Sequence, residues 1–170
     1  YTFNGICDVA VADNGDIFVA DGHFNNRVVR YSADGKFVKS WGQPGTGPSE
    51  FDMPHSIDID SKGRVFVADR GNSRIQLFDQ DGHYLASWRQ FGRPSGIYIT
   101  ADDRLFVADS QSVDGVNPDF EMGIYYGSAV DGSVDGHIGD IWTESVTENT
   151  DGNLFSGLVE HRGLVRYEAE

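Results

Sequence analysis

The chain has 170 residues, 39% hydrophobic and 24% charged, a globular composition with enough apolar material for a core. Lys and Arg number 13 against 27 Asp and Glu, a formal charge of −14. That balance repels phosphate backbones and anionic bilayers, so neither nucleic acid nor membrane is an expected partner.

A single cysteine, Cys7, rules out an internal disulfide and leaves the redox compartment open. No apolar run approaches the roughly 18 residues of a membrane span. No secretory signal pattern is visible, and the chain starts at Tyr1 rather than methionine. The expectation is that a preceding segment was cleaved, trimmed or never included.

Read in order, the chain repeats itself. Phe3 to Asp21 ("FNGICDVAVADNGDIFVAD"), Phe51 to Asp69 ("FDMPHSIDIDSKGRVFVAD") and Phe91 to Asp109 ("FGRPSGIYITADDRLFVAD") align without gaps. Each predicts a short strand, a polar turn and a second strand, from β-branched and aromatic residues in period-two alternation. The first two copies continue as "NRVVRYSADGKFVKSW" and "SRIQLFDQDGHYLASW", adding a third strand, an Asp-Gly hairpin turn and a fourth strand. A weaker fourth copy, "TESVTENTDGNLFSGL", begins at Thr143. No helix pattern is present.

Four antiparallel strands per repeat is the sequence signature of propeller blades. The predicted fold is all-β: a single propeller domain over 1–170 with blades at about 3–42, 51–90, 91–138 and 140–168. Four blades leave open sheet edges, so the chain is expected either to be part of a longer propeller or to complete its ring by self-association.

The repeats also predict a ring of side chains. Seven residues before the first residue of each turn dipeptide (Asn14, Lys62, Asp102, Asp151) stand Cys7, His55, Ser95 and Glu144. In a propeller these positions start the innermost strands and face one mouth of the axial channel. Cys, His and Glu all bind metals, so Cys7, His55 and Glu144 are the candidate ligands, with zinc the expected ion. The bland alternative is a polar lining that solvates the mouth and satisfies backbone groups. His23 and Arg70 lie in the loop after the second strand of adjacent blades. They are the candidate catalytic or ligand-clamping residues, and with His55 they would form a cleft. Asp21 with Arg27, and Asp69 with Arg74, read as ion pairs that stabilise their blades. Trp41 and Trp88 fall at equivalent blade ends, which suits packing between blades.

Other signals are weaker. "DQDGH" at Asp79 and "VDGSVDGHIGD" at Val130 have the look of calcium loops, so calcium is a second candidate ion, but neither carries the full carboxylate ladder. An Asp-Gly hairpin turn explains both. The segment from Ser110 to Tyr126 reads as a long insertion and a natural contact loop.

The residues Val67-Ala68-Asp69, Asn72-Ser73-Arg74 and the Asp-Gly turns resemble the NHL repeat. Together with Met53-Pro54-His55-Ser56 they are similar to the peptidyl-α-hydroxyglycine α-amidating lyases and their bacterial relatives. The resemblance is dense from Phe3 to Trp88 and continues as layout to Tyr167. It implies a six-bladed propeller of which these would be the last four blades, and a secreted or periplasmic setting. It also implies a funnel zinc held by three histidines. His55 sits on one of those motifs, Glu144 stands where another would fall, and the third motif lies upstream, as does the family's catalytic arginine. At the position of the family's catalytic tyrosine stands His23. The functional expectation is therefore a metal-dependent lyase or hydrolase acting on a small-molecule or peptide ligand at the funnel. The alternative is a non-catalytic propeller that binds a protein or small ligand on one face.

Overall fold

Alternation of side chains along a strand decides how the sheets stack. In the computed structural model, which describes residues 2–160 and 162–168, the first sheet holds β1 (Ile6–Val11), β2 (Ile17–Asp21), β3 (Arg27–Tyr31) and β4 (Phe37–Trp41). A two-residue parallel bridge, β5 (Gln43–Pro44) with β6 (Glu50–Phe51), ties the loop to the next blade. The second sheet is β7 (Pro54–Ile59), β8 (Val65–Asp69), β9 (Arg74–Phe78) and β10 (Tyr84–Trp88). The third is β11 (Pro94–Ile99), β12 (Arg104–Asp109), β13 (Gly123–Ser128) and β14 (Val134–Gly139). The fourth has β15 (Thr143–Glu148), β16 (Leu154–Leu158) and β17 (Gly163–Tyr167). Strands follow chain order in every blade, and all pairings within blades are antiparallel.

One expectation needs correction: the fourth blade has three strands among the described residues, not four. Its sequence copy is also the weakest, with Ser156 and Gly157 where the other blades have Val and Ala. The only helical turn among the described residues is a short 3-10 segment at Arg70–Asn72. No helix among them is long and apolar enough to cross a membrane.

The run Val65-Phe66-Val67-Ala68 shows why the second strands look apolar throughout. Val65 and Val67 join Phe18, Ala20, Val28 and Phe51 in the core between the first two blades. Phe66 and Ala68 point the other way and join Leu105, Val107 and Phe91 between the second and third. In β12, Phe106 and Ala108 repeat this toward the fourth blade, meeting Val146. A strand buried on both faces has no polar alternation to show. Each Val, Leu and Phe side chain among these contributes about 1.5–3 kcal/mol by leaving water, and each alanine methyl about 0.8 kcal/mol.

Polar residues lock the blades. Arg74 bonds Asp69 Oδ2 at 2.6 Å and reaches the carbonyls of Thr46, Gly47 and Glu50 at 2.8 Å, so it pins the interblade loop as well as its own blade. Arg27 bonds Asp21 Oδ2 at 2.9 Å in the first blade. The third blade has no arginine there, and Asp109 instead accepts from Ser112 Oγ and the backbone N–H groups of Arg93, Gln111 and Ser112. Trp41 packs on Phe78 of the next blade, with Gly82 against its indole, and Gly132 lies likewise against Trp88. Asp79 is spent on its hairpin turn, accepting from the backbone of Asp81 and His83 and pairing with His83 Nδ1 at 2.8 Å.

Candidate functional site

The innermost strands β1, β7, β11 and β15 run side by side around the axis, each packed on the next. Side chains on one strand cap the free backbone edge of its neighbour. Asp8 Oδ2 accepts from Ile57 N at 3.1 Å, Ser56 Oγ accepts from Ile97 N at 3.0 Å, and Asp58 Oδ2 accepts from Ile99 N at 2.6 Å. These bonds satisfy groups that would otherwise face the channel unpaired.

Near the start of every innermost strand the ladder slips. The register breaks between Ile6 and Asp8, Pro54 and Ser56, Pro94 and Gly96, and Thr143 and Ser145. The skipped residues are Cys7, His55, Ser95 and Glu144. Such a bulge leaves one residue outside the pairing and re-aims its side chain. Here four of them bring the side chains picked out by sequence spacing to one mouth. Cys7, His55, Ser95 and Glu144 all line a cleft of about 370 Å³.

Local backbone chemistry sets the approach to each. Met53, just before His55, has φ +56°, a left-handed conformation that costs an L-residue about 1–2 kcal/mol. Its N–H is held by Asn26 Oδ1 at 2.8 Å, from the loop of the preceding blade. Gly22 follows Asp21 because nothing larger fits: a Cβ there would lie 1.8 Å from the Pro54 carbonyl oxygen. That close approach brings the His23 loop down on the start of β7. The His23 N–H donates to the Gly5 carbonyl at 3.1 Å, and the Cys7 thiol leans on the same oxygen at 3.5 Å.

The result is two adjoining groups. In the first, Cys7, His23 and His55 offer donor atoms that all lie within 4.8 Å of one another. The two imidazole rings meet edge to face at 5.5 Å. His55 Nδ1 lies 2.8 Å from the Ser95 carbonyl oxygen, which can only accept, so Nδ1 carries the proton and Nε2 the lone pair. Burial pushes the His55 imidazole below its ordinary value, and the charge of Arg70 adds to that effect. Burial likewise pushes the Cys7 thiol up, opposed by the backbone N–H groups of Gly22 and His23.

The second group is built on Arg70. Its side chain is 7% exposed, and Nη1 meets Glu144 Oε2 at 3.1 Å. Nη2 rests on Met53 Sδ at 2.8 Å, and Nε has no hydrogen-bond partner among the described residues. The other Glu144 oxygen accepts from Ser110 Oγ at 3.0 Å, and Ser110 in turn meets Ser95 Oγ at 2.6 Å. Because the carboxylate can only accept from Ser110, the chain of donors runs Ser95 to Ser110 to Glu144. Glu144 is 3.9 Å from His55 Nδ1, so it faces the side of the ring that already donates to Ser95. The structure thus gathers Cys7 and His55 with His23 and turns Glu144 to Arg70.

Ser110 was not among the residues singled out by sequence, although a signal existed. It occupies the position after Val-Ala-Asp that Gly22 and Arg70 occupy in the two preceding blades. Beyond it the insertion forms a second, apolar cleft of about 430 Å³, lined by Arg93, Val113, Val116, Met122 and Trp142. A larger cleft of about 750 Å³ lies between the outer strands of the third and fourth blades, lined by Tyr126, Ile138 and Tyr167 among others. It is remote from the converging side chains.

Comparison with known proteins agrees with this architecture. A family model described as a 6-bladed beta-propeller matches residues 2–91. NHL repeat-containing protein 3 of Homo sapiens is 41% identical over 111 residues, covering 62% of this chain and 32% of that protein. The probable peptidyl-alpha-hydroxyglycine alpha-amidating lyase pgal-1 of Caenorhabditis elegans is 46% identical over 74 residues, covering 42% of this chain and 21% of that protein. The chain therefore spans about a third or less of the length of these relatives. Among solved structures, Kuenenia stuttgartiensis hydrazine synthase superposes with a TM-score of 0.72 at 14% identity, over 99% of this chain and 47% of that one. At that identity the likeness shows the fold alone.

Proposed function

Since the chain belongs to the six-bladed β-propeller family and is built of NHL-type repeats, we propose that its mouth is the reactive end of a propeller related to the amidating lyases. The reading is a metal-dependent lyase or hydrolase acting on a small-molecule or peptide ligand. One observation carries it. The same bulge in four consecutive blades aims Cys7, His55, Ser95 and Glu144 at one mouth, where the loop residues His23 and Arg70 join them. A lining that merely solvated the channel would not need two buried cationic or titratable side chains at the same spot.

The residues have separable roles in this reading. Arg70, 7% exposed and bonded through Nη1 to Glu144, holds that carboxylate in place at the mouth and supplies the positive charge that an anionic ligand would meet there. Glu144, oriented by Arg70 and Ser110, accepts a proton from the ligand or from water. His55 is a ligand for zinc, with its Nδ1 tied back to the Ser95 carbonyl as a metal-binding imidazole requires. When bound, zinc supplies Lewis-acid polarisation of an oxygen on the ligand. The remainder of the ring comes from further blades or from a second copy, which would also cover Ile6, Val9 and Val11, now 48%, 49% and 63% exposed on the first blade.

The test is the metal content of the purified protein beside a His55→Ala variant. Near-stoichiometric zinc that falls to background in the variant supports the reading. No zinc in either, with the fold retained, leaves the second reading, a non-catalytic binding propeller. That alternative draws on the apolar cleft beside the insertion, where Val113, Val116 and Trp142 are each more than 40% exposed and suit an apolar side chain of a bound peptide.

A further inference from the structure

We propose that the metal ion is held by Cys7, His23 and His55 together, a mixed thiolate and imidazole site lodged between the first two blades, and that Glu144 is no ligand but the counter-charge of Arg70. This rests on the reading above that the mouth binds a metal, and it specifies which atoms do so and which ions they select.

Three independent features converge on the site. The first is distance. In tetrahedral zinc sites with bonds of about 2.0–2.3 Å, donor atoms stand about 3.3–3.8 Å apart. The three donors here lie within 4.8 Å of one another, so contraction by roughly an ångström closes the set. His23, the most exposed of the three, sits on a loop and can make that movement, while Cys7 and His55 are half-buried on strands.

The second is orientation. The Ser95 carbonyl holds the His55 Nδ1 proton at 2.8 Å and leaves Nε2 as the free lone pair. A ring nitrogen tied to a carbonyl on its far side is the usual support behind a metal-binding histidine. The Cys7 thiol leans on the Gly5 carbonyl at 3.5 Å, the same oxygen that takes the His23 N–H, so the sulfur and the His23 loop are seated together. On coordination the thiol gives its proton to solvent, and the sulfur lone pair goes to the cation.

The third is charge. A bare Arg70 in the same mouth would repel a cation. Glu144 sits on it at 3.1 Å, and the pair presents little net charge to the neighbouring site. This assigns Glu144 a purpose without making it a ligand. Three protein donors, one thiolate and two neutral imidazoles, would leave a divalent ion one position for solvent or a ligand, the donor count of a reactive rather than a closed structural zinc site. Sulfur and imidazole donors select zinc, cobalt or copper over calcium and magnesium, which need oxygen.

The experiment is titration of the chelator-treated protein with cobalt(II), followed by absorption. The expected result is one equivalent bound with a strong sulfur-to-cobalt charge-transfer band. Cys7→Ser should lose that band while still binding cobalt about tenfold or more weakly, and His23→Ala should keep the band but weaken binding similarly. Cobalt bound by wild type without the charge-transfer band, but lost in His55→Ala, overturns the Cys7 assignment and leaves the broader reading standing. Unchanged affinity in His23→Ala removes His23 from the set. No binding of cobalt or zinc by the wild type sinks both proposals. The wild-type spectrum decides the sulfur question even if a variant fails to fold.

Discussion

Arg70 Nη1 and Glu144 Oε2 stand 3.1 Å apart although 74 residues separate them, and the bond links the second blade to the fourth across the mouth. Arg70 is almost fully buried and Glu144 is 37% exposed. Removing one partner from such a pair strands the other, and the buried member suffers more. Glu144→Gln is therefore expected to destabilise by about 1–3 kcal/mol, and Arg70→Met by less. The double variant should be no worse than Glu144→Gln alone. Urea denaturation of the three proteins gives the coupling directly. Additive losses would mean that the two groups do not interact in solution.

The arginines of the first two blades should rank by burial. Arg74 is 5% exposed and holds Asp69 and three loop carbonyls, whereas Arg27 is 18% exposed. Truncating Arg74 to Ala leaves Asp69 buried with its charge compensated only by Asn72, Gln76 and a backbone N–H. The expected loss is about 3–5 kcal/mol for Arg74→Ala and about half that for Arg27→Ala. Thermal melting of the two variants checks the order. Equal losses would count against the loop-pinning role.

Much of this fold is written in the strands themselves. Phe18 to Asp21, Phe66 to Asp69 and Phe106 to Asp109 are the same buried strand three times, so the blade count and the turn positions follow from local pattern. The bulged positions follow too, because a seven-residue offset from a turn is a local measure. What lies between blades does not. That Arg70 meets Glu144, or that His23 comes to rest on His55, depends on how sheets stack, and no spacing along the chain encodes it. The repeat puts Glu144 at the position of His55, but its bond to Arg70, from a blade two removed, is set by the stacking of the sheets. At Asp79 the Asp-Gly hairpin that the sequence favours is what the structure shows, with the carboxylate bonded to the backbone of Asp81 and His83 and to the His83 ring.

Gly22 tests how tightly the loop is seated. Its missing Cβ is what lets the Pro54 carbonyl approach, and the nearest alternative contact, Cys7 Sγ, would be at 3.1 Å. Backbone cannot yield as a flexible side chain can, so Gly22→Ala must push the His23 loop off β7. The expected outcome is a destabilisation of about 1–3 kcal/mol and, at the proposed Cys7, His23 and His55 site, weaker cobalt binding. Gly35→Ala, at a turn with open space around it but φ +78°, should cost about 1–2 kcal/mol and leave metal binding unchanged. Retention of full metal content in Gly22→Ala would show that the loop does not need its close seat.

The innermost strands also carry a pH signature. Asp58 accepts from Ile59 N at 2.8 Å and Ile99 N at 2.6 Å, yet burial outweighs both bonds and, with the charge of Asp8 added, raises its carboxyl to about 6. The unfolded value is about 3.9. A group whose folded value lies above its unfolded one binds more protons in the folded state between the two. Its contribution to stability is therefore full below about pH 4 and is lost as pH rises through about 6. At about 1.4 kcal/mol per pH unit across that window, the change is at most about 3 kcal/mol. Asp58→Asn removes the titration and keeps one acceptor. The stability of wild type relative to this variant should fall from pH 4 to pH 6 and level off above about 7. Carbon-detected NMR of the side-chain carboxyl should give a midpoint near 6. A midpoint near 4 would show that the two N–H bonds, and not burial, govern this carboxylate.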